Sequence, residues 1–503
     1  MQHLFKQFII LCIIILQVFA QEQYEQKGTL RWAFEIFRHG ARTPYDGFNE
    51  NFEDCFGHKW IGKKELTGVG LRQHFLVGYR NRLKYIEEKK LLSEQYNPKE
   101  VYLASTDSNR TIMSANAQVQ GLYPPGNAPP LFENQTNNAV PPVKEEDYKT
   151  EKEQLDNDGY ATLPNHITIM PVHILFNSDH YIQLQDKKVC PYTKELYKKN
   201  QEREEVKQFL ARMKDKYGPN INAVAPREDA SSFDDYAKTY YILDTVISEY
   251  TEGVDRLKDV CQKLGVSEKE LLDDAYEFFG LDLVGNGTNN DNEICLHSMS
   301  PIFDRLLQYM NDKIKKDEGD KDYVNYDLPK FVMYSAHDST CGAFMGFMKA
   351  VFGTEIKYPY FATNINLELY KEGDGNGKEN YRVDYIINDK FINSFKFTEF
   401  ESKINQNKKS AEKINNFCQF EKSESSTEPT TDGQQKQENN EPKDDNDGLY
   451  IGLNIGLAVV AVILIILIII TIRKRKSGQQ EINNEEIMGG DNDKKEILGG
   501  GDD

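Results

Sequence analysis

Three times in this chain an apolar run stops in a turn crowded with charged and hydroxyl residues and resumes with helical spacing. Leu30, Trp32, Phe34 and Ile36 stand at every second position, the period of a strand, and lead into Arg38-His39-Gly40-Ala41-Arg42-Thr43-Pro44. Glu100-Val101-Tyr102-Leu103-Ala104 leads into Ser105-Thr106-Asp107-Ser108-Asn109-Arg110-Thr111, and Lys330 to Ala336 leads into His337-Asp338-Ser339-Thr340. Strand, turn and helix recurring this way predict an α/β fold. In such folds ligands gather at the carboxyl ends of the strands, where these polar turns fall.

The residue types in the turns point to one chemistry. A neutral imidazole nitrogen can attack phosphorus, and guanidinium forks can hold phosphoryl oxygens while it does so. His39 lies between Arg38 and Arg42. Arg110 falls in the first turn of a helix, where backbone N–H groups already favour anions. His337 beside Asp338 can supply one phosphate donor and one proton donor. Leu66 to Tyr79 has helical spacing with Thr67 as its cap; His74 within it reads as a polar residue on a helix face.

The remaining folded stretch is less specific. Residues from Gly126 to about 165 are loop-like, and His166 to Phe176 read as a further strand containing Pro171-Val172-His173. Charged helical stretches at Lys194 to Lys216, Tyr236 to Leu264 and Glu268 to Phe279 read as a helical cap inserted over roughly residues 186–300. Ile365 to Tyr370 and Tyr381 to Ile387 flank Gly373-Asp374-Gly375-Asn376-Gly377, the pattern of a hairpin.

The ends are of another kind. Residues 1–20 pair Lys6 with an apolar run ending at Val18-Phe19-Ala20, the pattern of a cleaved signal peptide, so the mature domain is expected over 21–420. Leu449 to Ile472 carry no charge and as a helix would be about 36 Å long, enough to span a bilayer. Arg473-Lys474-Arg475-Lys476 follow as a cytoplasmic flank. Residues 421–448 have the composition of a disordered acidic stalk, and 473–503 form a short tail. The expected topology is a single-pass type I membrane protein with its catalytic domain lumenal or extracellular, in lysosome, endosome or plasma membrane. The net charge of −19 implies no broad basic face, so nucleic acid is not an expected partner. Six of the seven cysteines remain after Cys12 departs with the signal peptide, and an oxidising compartment favours disulfides among them. No cysteine or histidine spacing suggests a metal site, and the reading calls for no metal and no cofactor.

Taken together these motifs resemble the histidine acid phosphatases, which include the lysosomal and prostatic acid phosphatases and phytases. The resemblance runs over roughly residues 30–420 through the Arg38 to Pro44 motif, Leu66 to Gln73, Ser105-Thr106-Asp107 with Arg110, Gly121 to Pro125, Pro171-Val172-His173, Tyr334 to Asp338 and Leu367-Glu368-Leu369-Tyr370. It implies a central mixed sheet flanked by helices, with the helical cap inserted. It implies that His39 becomes phosphorylated, that Arg38, Arg42, Arg110 and His337 clamp the phosphoryl oxygens, and that Asp338 protonates the leaving alcohol. It also implies a bridge between Cys190 and Cys418, leaves Cys55, Cys261, Cys295 and Cys341 unassigned, and places Asn364 where animal relatives carry a bridging cysteine.

The function expected is a membrane-anchored acid phosphatase acting on small phosphate monoesters. The alternatives are a phytase-like inositol-polyphosphate phosphatase and a silent receptor ectodomain. Asn134 and Asn286 are glycosylation candidates, whereas a glycan on Asn109 would crowd Arg110. Oligomeric state is open, a homodimer included.

Overall fold

The computed structural model describes residues 28–175, 190–282, 292–320 and 328–418, which lie in the compact unit Met1–Ser423. The expected signal peptide and stalk, the charge-free run, the tail and Asn286 lie outside the described residues. Among the described residues no helix is long and apolar enough to cross a membrane.

Seven strands form one mixed sheet in the order β3-β2-β4-β1-β5-β6-β7. They are β1 (Thr29–Arg38), β2 (Val101–Ser105), β3 (His173–Ile174), β4 (Phe331–Ala336), β5 (Asn364–Lys371), β6 (Tyr381–Ile387) and β7 (Lys390–Lys396). The first four run parallel, and β5, β6 and β7 add antiparallel on the other side of β1. β5 and β6 are the expected hairpin. β3 is far shorter than the strand expected over His166 to Phe176. Pro171 has no N–H for a ladder, and Pro164–His166 close into a short 3₁₀ turn instead.

Period-two alternation in β1 feeds two cores. Trp32, Phe34 and Ile36 join an apolar cluster that includes Phe303, Phe344, Phe347 and Phe400. Ala33 and Phe37 join the opposite one with Tyr85, Val119 and Leu122. Glu35 shares that second side but is fully buried, its carboxylate taking N–H bonds from Asn81, Gln118 and Asn364. Asn364, at the position of the absent bridge, is thus a buried partner of Glu35.

The helices are α1 (Gly68–Asn81), α2 (Asn109–Leu122), α3 (Lys149–Asn157), α4 (Pro191–Gln201), α5 (Glu204–Tyr217), α6 (Tyr236–Glu252), α7 (Arg256–Leu264), α8 (Glu268–Asp282), α9 (Asn292–Asp317), α10 (Asp338–Phe352), α11 (Phe397–Asn407) and α12 (Ala411–Cys418). Thr67 caps α1 by accepting the Gly70 N–H, as its spacing suggests. α5 to α8 enclose their own apolar cluster, with Phe209, Val246, Leu257 and Phe278 joined by Cys55 and Phe56 from the loop before α1. α9 instead packs on the sheet through Met299, Phe303, Leu306 and Met310. Cys190, at the entry to α4, is bonded to Cys418 at the end of α12, with Cα atoms 4.7 Å apart. Cys55, Cys261, Cys295 and Cys341 are buried and take no part in this bridge.

Candidate active site

β1 and β4 are adjacent parallel strands in register at Arg38 and Ala336. The next residue of each, His39 and His337, therefore emerges side by side, and the His39 N–H donates to Ala336 O at 3.0 Å. Their rings lie 5.7 Å apart, centroid to centroid. β2 ends level with β4, so Thr106 reaches His337, and α2 begins with Arg110 in its first turn. The three strand-to-helix turns that the sequence marks out converge at the carboxyl edge of the sheet.

The turn after His39 is clamped by backbone contact. A methyl group at Gly40 would overlap the backbone of Gly70, and one at Gly70 would overlap Ala41. Only glycines let the start of α1 approach so closely. Gly40 N–H donates to Ser114 Oγ at 3.1 Å and Ala41 N–H to Gln73 Oε1 at 2.9 Å, so both helices grip the turn. His74 is not on an open face. It is fully buried, with Nε2 3.0 Å from Arg38 O and Nδ1 3.0 Å from Gln118 Oε1, so it supports the backbone behind the turn.

His39 is 2% exposed, and its Nδ1 lies 2.8 Å from Gly40 O. A carbonyl can only accept, so Nδ1 carries the proton and Nε2 keeps its lone pair. Burial first, then Arg110, Arg38 and Arg42, hold its pKa well below the ordinary 6.5. The ring is therefore neutral, as a nucleophile requires.

Each guanidinium around it is anchored through Nη. Arg38 Nη1 donates to Tyr358 Oη at 2.9 Å and Pro359 O at 2.8 Å, and Nη2 meets Asp338 Oδ2 at 2.8 Å. Arg42 is paired with Asp244, and Arg110 donates to Ser108 Oγ at 2.8 Å and His337 Nδ1 at 3.2 Å. Phe361 lies 4.3 Å from the Arg38 guanidinium carbon and packs 5.8 Å from the His39 ring. All three Nε atoms are buried without a partner. Unpaired buried donors cost free energy, and three of them around one imidazole suit the oxygens of an oxyanion.

Arginine cannot accept a hydrogen bond, so His337 accepts at Nδ1 and carries its proton on Nε2, facing Thr106 Oγ1 at 2.9 Å. Burial and Arg110 lower its pKa. Burial would raise the Asp338 carboxyl, but Arg38, then Arg42, outweigh it and hold it below the ordinary 3.8. Asp338 Oδ1 also accepts the Ser339 N–H at 2.8 Å at the start of α10. Burial and Arg42 bring Arg110 down to about 10.

All six candidate residues, Arg38, His39, Arg42, Arg110, His337 and Asp338, are thus drawn together. Sequence reasoning did not find Asp244, Tyr358 or Phe361. Asp244 is one of three carboxylates on α6, with Glu249 and Glu252, and carries no local signal. The aromatic run Tyr358-Pro359-Tyr360-Phe361 is the one feature that could have marked the segment before β5 as a wall of the site. Beside the turn, Thr43, Trp60, Leu66, Thr67 and Glu252 contribute to the lining of a cleft of ≈ 540 Å³.

The sequence matches the family model described as histidine phosphatase superfamily (branch 2) over residues 29–388. It is 26% identical over 375 residues to a lysosomal acid phosphatase of Xenopus laevis, covering 73% of this chain and 72% of that one. To the prostatic acid phosphatase of Homo sapiens it is 36% identical over 97 residues, 19% of this chain and 24% of that one. Among solved structures, it is similar to the apo form of a Hafnia alvei phytase with a TM-score of 0.48 and 12% identity, over 76% of this chain and 98% of that chain.

Proposed function

The chain belongs to branch 2 of the histidine phosphatase superfamily, and we propose that it is an acid phosphatase that hydrolyses phosphate monoesters through a phosphohistidine on His39. The observation that carries this reading is the neutral His39, with its Nε2 lone pair free, among three arginines whose buried Nε donors lack partners. Its lysosomal and prostatic relatives are named as acid phosphatases.

In this mechanism the phosphoryl oxygens accept from the unpartnered Nε–H groups of Arg38, Arg42 and Arg110, which neutralise charge and align the phosphorus. His39 Nε2 bonds to phosphorus as the ester P–O bond breaks. Asp338 delivers its proton to the departing alkoxide. Water then attacks the phosphohistidine, Asp338 takes the proton back, and inorganic phosphate leaves with His39 neutral again. His337 contributes as a clamp when its Nε2–H turns from Thr106 to a phosphoryl oxygen. Because Asp338 lies among cations and ionises readily, acid is needed to keep it a proton donor. That requirement gives the enzyme its acidic working range.

The charge-free run Leu449 to Ile472 with its basic flank supports a single membrane anchor, and residues 1–20 support export. Together they favour a catalytic domain on the lumenal or extracellular side. Asn134 is exposed, which suits glycosylation.

The test is hydrolysis of an aryl phosphate from pH 3 to 8 by the full chain and by His39→Ala, without added metal. Activity rising in acid and lost in a folded His39→Ala, with an acid-labile phosphoryl label trapped only on the wild type, is the expected result. Undiminished turnover in His39→Ala would remove His39 as nucleophile.

A further inference from the structure

Asp244 takes no part in the steps above. Building on that reading of the site, we infer that Asp244 is a positioning residue: it sets which edge of Arg42 meets the phosphoryl group and keeps the site's grip on released phosphate weak. A guanidinium can hold an oxyanion end-on through both Nη atoms or side-on through Nε and Nη2. Asp244 fills the end-on edge, with Nη2 donating to Oδ1 at 2.8 Å and Nη1 to Oδ2 at 3.0 Å. Nη1 also donates to Thr43 O at 3.0 Å. What remains is the side-on edge, where Nε is buried and unpartnered. The carboxylate is itself held by the Tyr45 N–H at 2.6 Å. α6 supplies it, and both partners are buried, Arg42 at 2% and Asp244 at 3% exposure. A helix of the cluster enclosed by α5 to α8 therefore orients a side chain from the first turn.

The pair also sets the charge balance. Three guanidinium cations face two carboxylates, Asp338 and Asp244, around neutral His39 and His337. Removing the Asp244 charge would strip a repulsive centre from beside a phosphate dianion. An asparagine can still accept one bond from Arg42, so most of the alignment survives. With an effective dielectric of about 20 and charges separated by a guanidinium's width, the lost repulsion outweighs the lost bond and tightens phosphate binding by about tenfold or more. A tighter product leaves more slowly, and product release limits turnover in many enzymes.

The experiment titrates the full-length wild type and Asp244→Asn with inorganic phosphate by calorimetry, and measures kcat and KM for an aryl phosphate. Phosphate bound about tenfold more tightly by the variant, with KM lowered in step and kcat reduced, is the expected result. A residue that served packing alone would move these the other way. Looser or unchanged phosphate binding therefore overturns the inference.

If Asp244→Asn does not fold, Asp244→Glu decides, because it keeps the charge and displaces it. Phosphate affinity within about threefold of wild type and a reduced kcat support the role; a larger loss of affinity or an unchanged kcat overturns it. Wild-type protein that neither binds phosphate nor hydrolyses the ester removes the active-site reading itself. An active wild type with unaltered phosphate affinity in Asp244→Asn removes only the role of Asp244.

Discussion

Replacing Glu249 by glutamine should flatten the pH dependence of this protein's stability. Glu249 on α6 is fully buried against Asp54, which is 1% exposed. Asp54 already accepts the Trp60 Nε1–H at 2.7 Å and the N–H groups of Phe56 and His58, each at 3.0 Å. Two ionised carboxylates can only accept, so this contact is a hydrogen bond only when Glu249 holds a proton. Burial first and Asp54 second push Glu249 from 4.5 up to about 9, with Arg256 opposing.

The sign follows from linkage. Between the unfolded and folded pKa values the folded state binds the extra proton, so stability is greatest in acid and falls as pH rises. Each pH unit in that window is worth about 1.4 kcal/mol, so this group alone removes about 2.7 kcal/mol between pH 5.5 and 7.5. Urea unfolding of wild type and Glu249→Gln at those two pH values provides the assay. The glutamine side chain can donate to Asp54 at either pH, so the variant should lose about 2.7 kcal/mol less than wild type across the interval. Equal losses in both proteins would refute a shared proton between Glu249 and Asp54.

Other expectations follow from the site and its supports. Asp338→Asn should cost about 10²–10⁴-fold in kcat for an alkyl phosphate and much less for a nitrophenyl phosphate, whose leaving group needs no proton. Comparison of the two substrates measures the acid role. Because Arg38 and Arg42 hold the Asp338 carboxyl below its ordinary value, its protonated fraction falls as pH rises, and the alkyl phosphate rate should fall with it. That slope should disappear in Asp338→Asn. Gly70→Ala forces a methyl group into the Ala41 backbone and should destabilise by about 1–3 kcal/mol, read as a lower urea midpoint together with lost activity. Cys190→Ser should lower stability by about 2–4 kcal/mol, since the bridge closes a loop of 228 residues in the unfolded chain; an unchanged urea midpoint would show that the bridge constrains little.

The buried titratable groups bear on stability as well as on catalysis. Glu35, pushed up to about 7 by burial, has the same sign as Glu249: both carboxyls favour the folded state in acid. His74 opposes them, since burial lowers it to about 4. It is neutral when folded and protonated when unfolded below its ordinary pKa of 6.5, so its contribution is lost as pH falls towards 4. Burial lowers His39 and His337 in the same direction, so the three histidines together offset, below their ordinary pKa, what the two carboxyls gain in acid.

Much of the architecture was legible because its signals are local. Period-two alternation marked β1, short apolar runs ending in polar turns marked β2 and β4, Thr67 and the spacing after it marked α1, and the glycine-rich turn marked the hairpin of β5 and β6. Arg38, His39, Arg110, His337 and Asp338 could be named because each stands at a strand end or a helix start, where a short stretch reveals its own backbone, and Arg42 because it shares the Arg38 to Pro44 motif. The strand expected around His173 shrank to two residues because Pro171 denies the ladder a donor, a cost set by the neighbouring strand.

Tertiary structure alone decided the partnerships. Asp244 and Arg42 are 202 residues apart, and nothing in the spacing of α6 distinguishes that carboxylate from its neighbours. His74 became a buried support for Arg38 O because α1 packs against β1 through Gly40 and Gly70, a contact no helical periodicity encodes. The open edge of each guanidinium was likewise set by which carboxylate, hydroxyl or carbonyl packing brought to the other edge. Sequence determined which groups stand at the strand ends; long-range packing determined their protonation, their orientation and the donors left for phosphate.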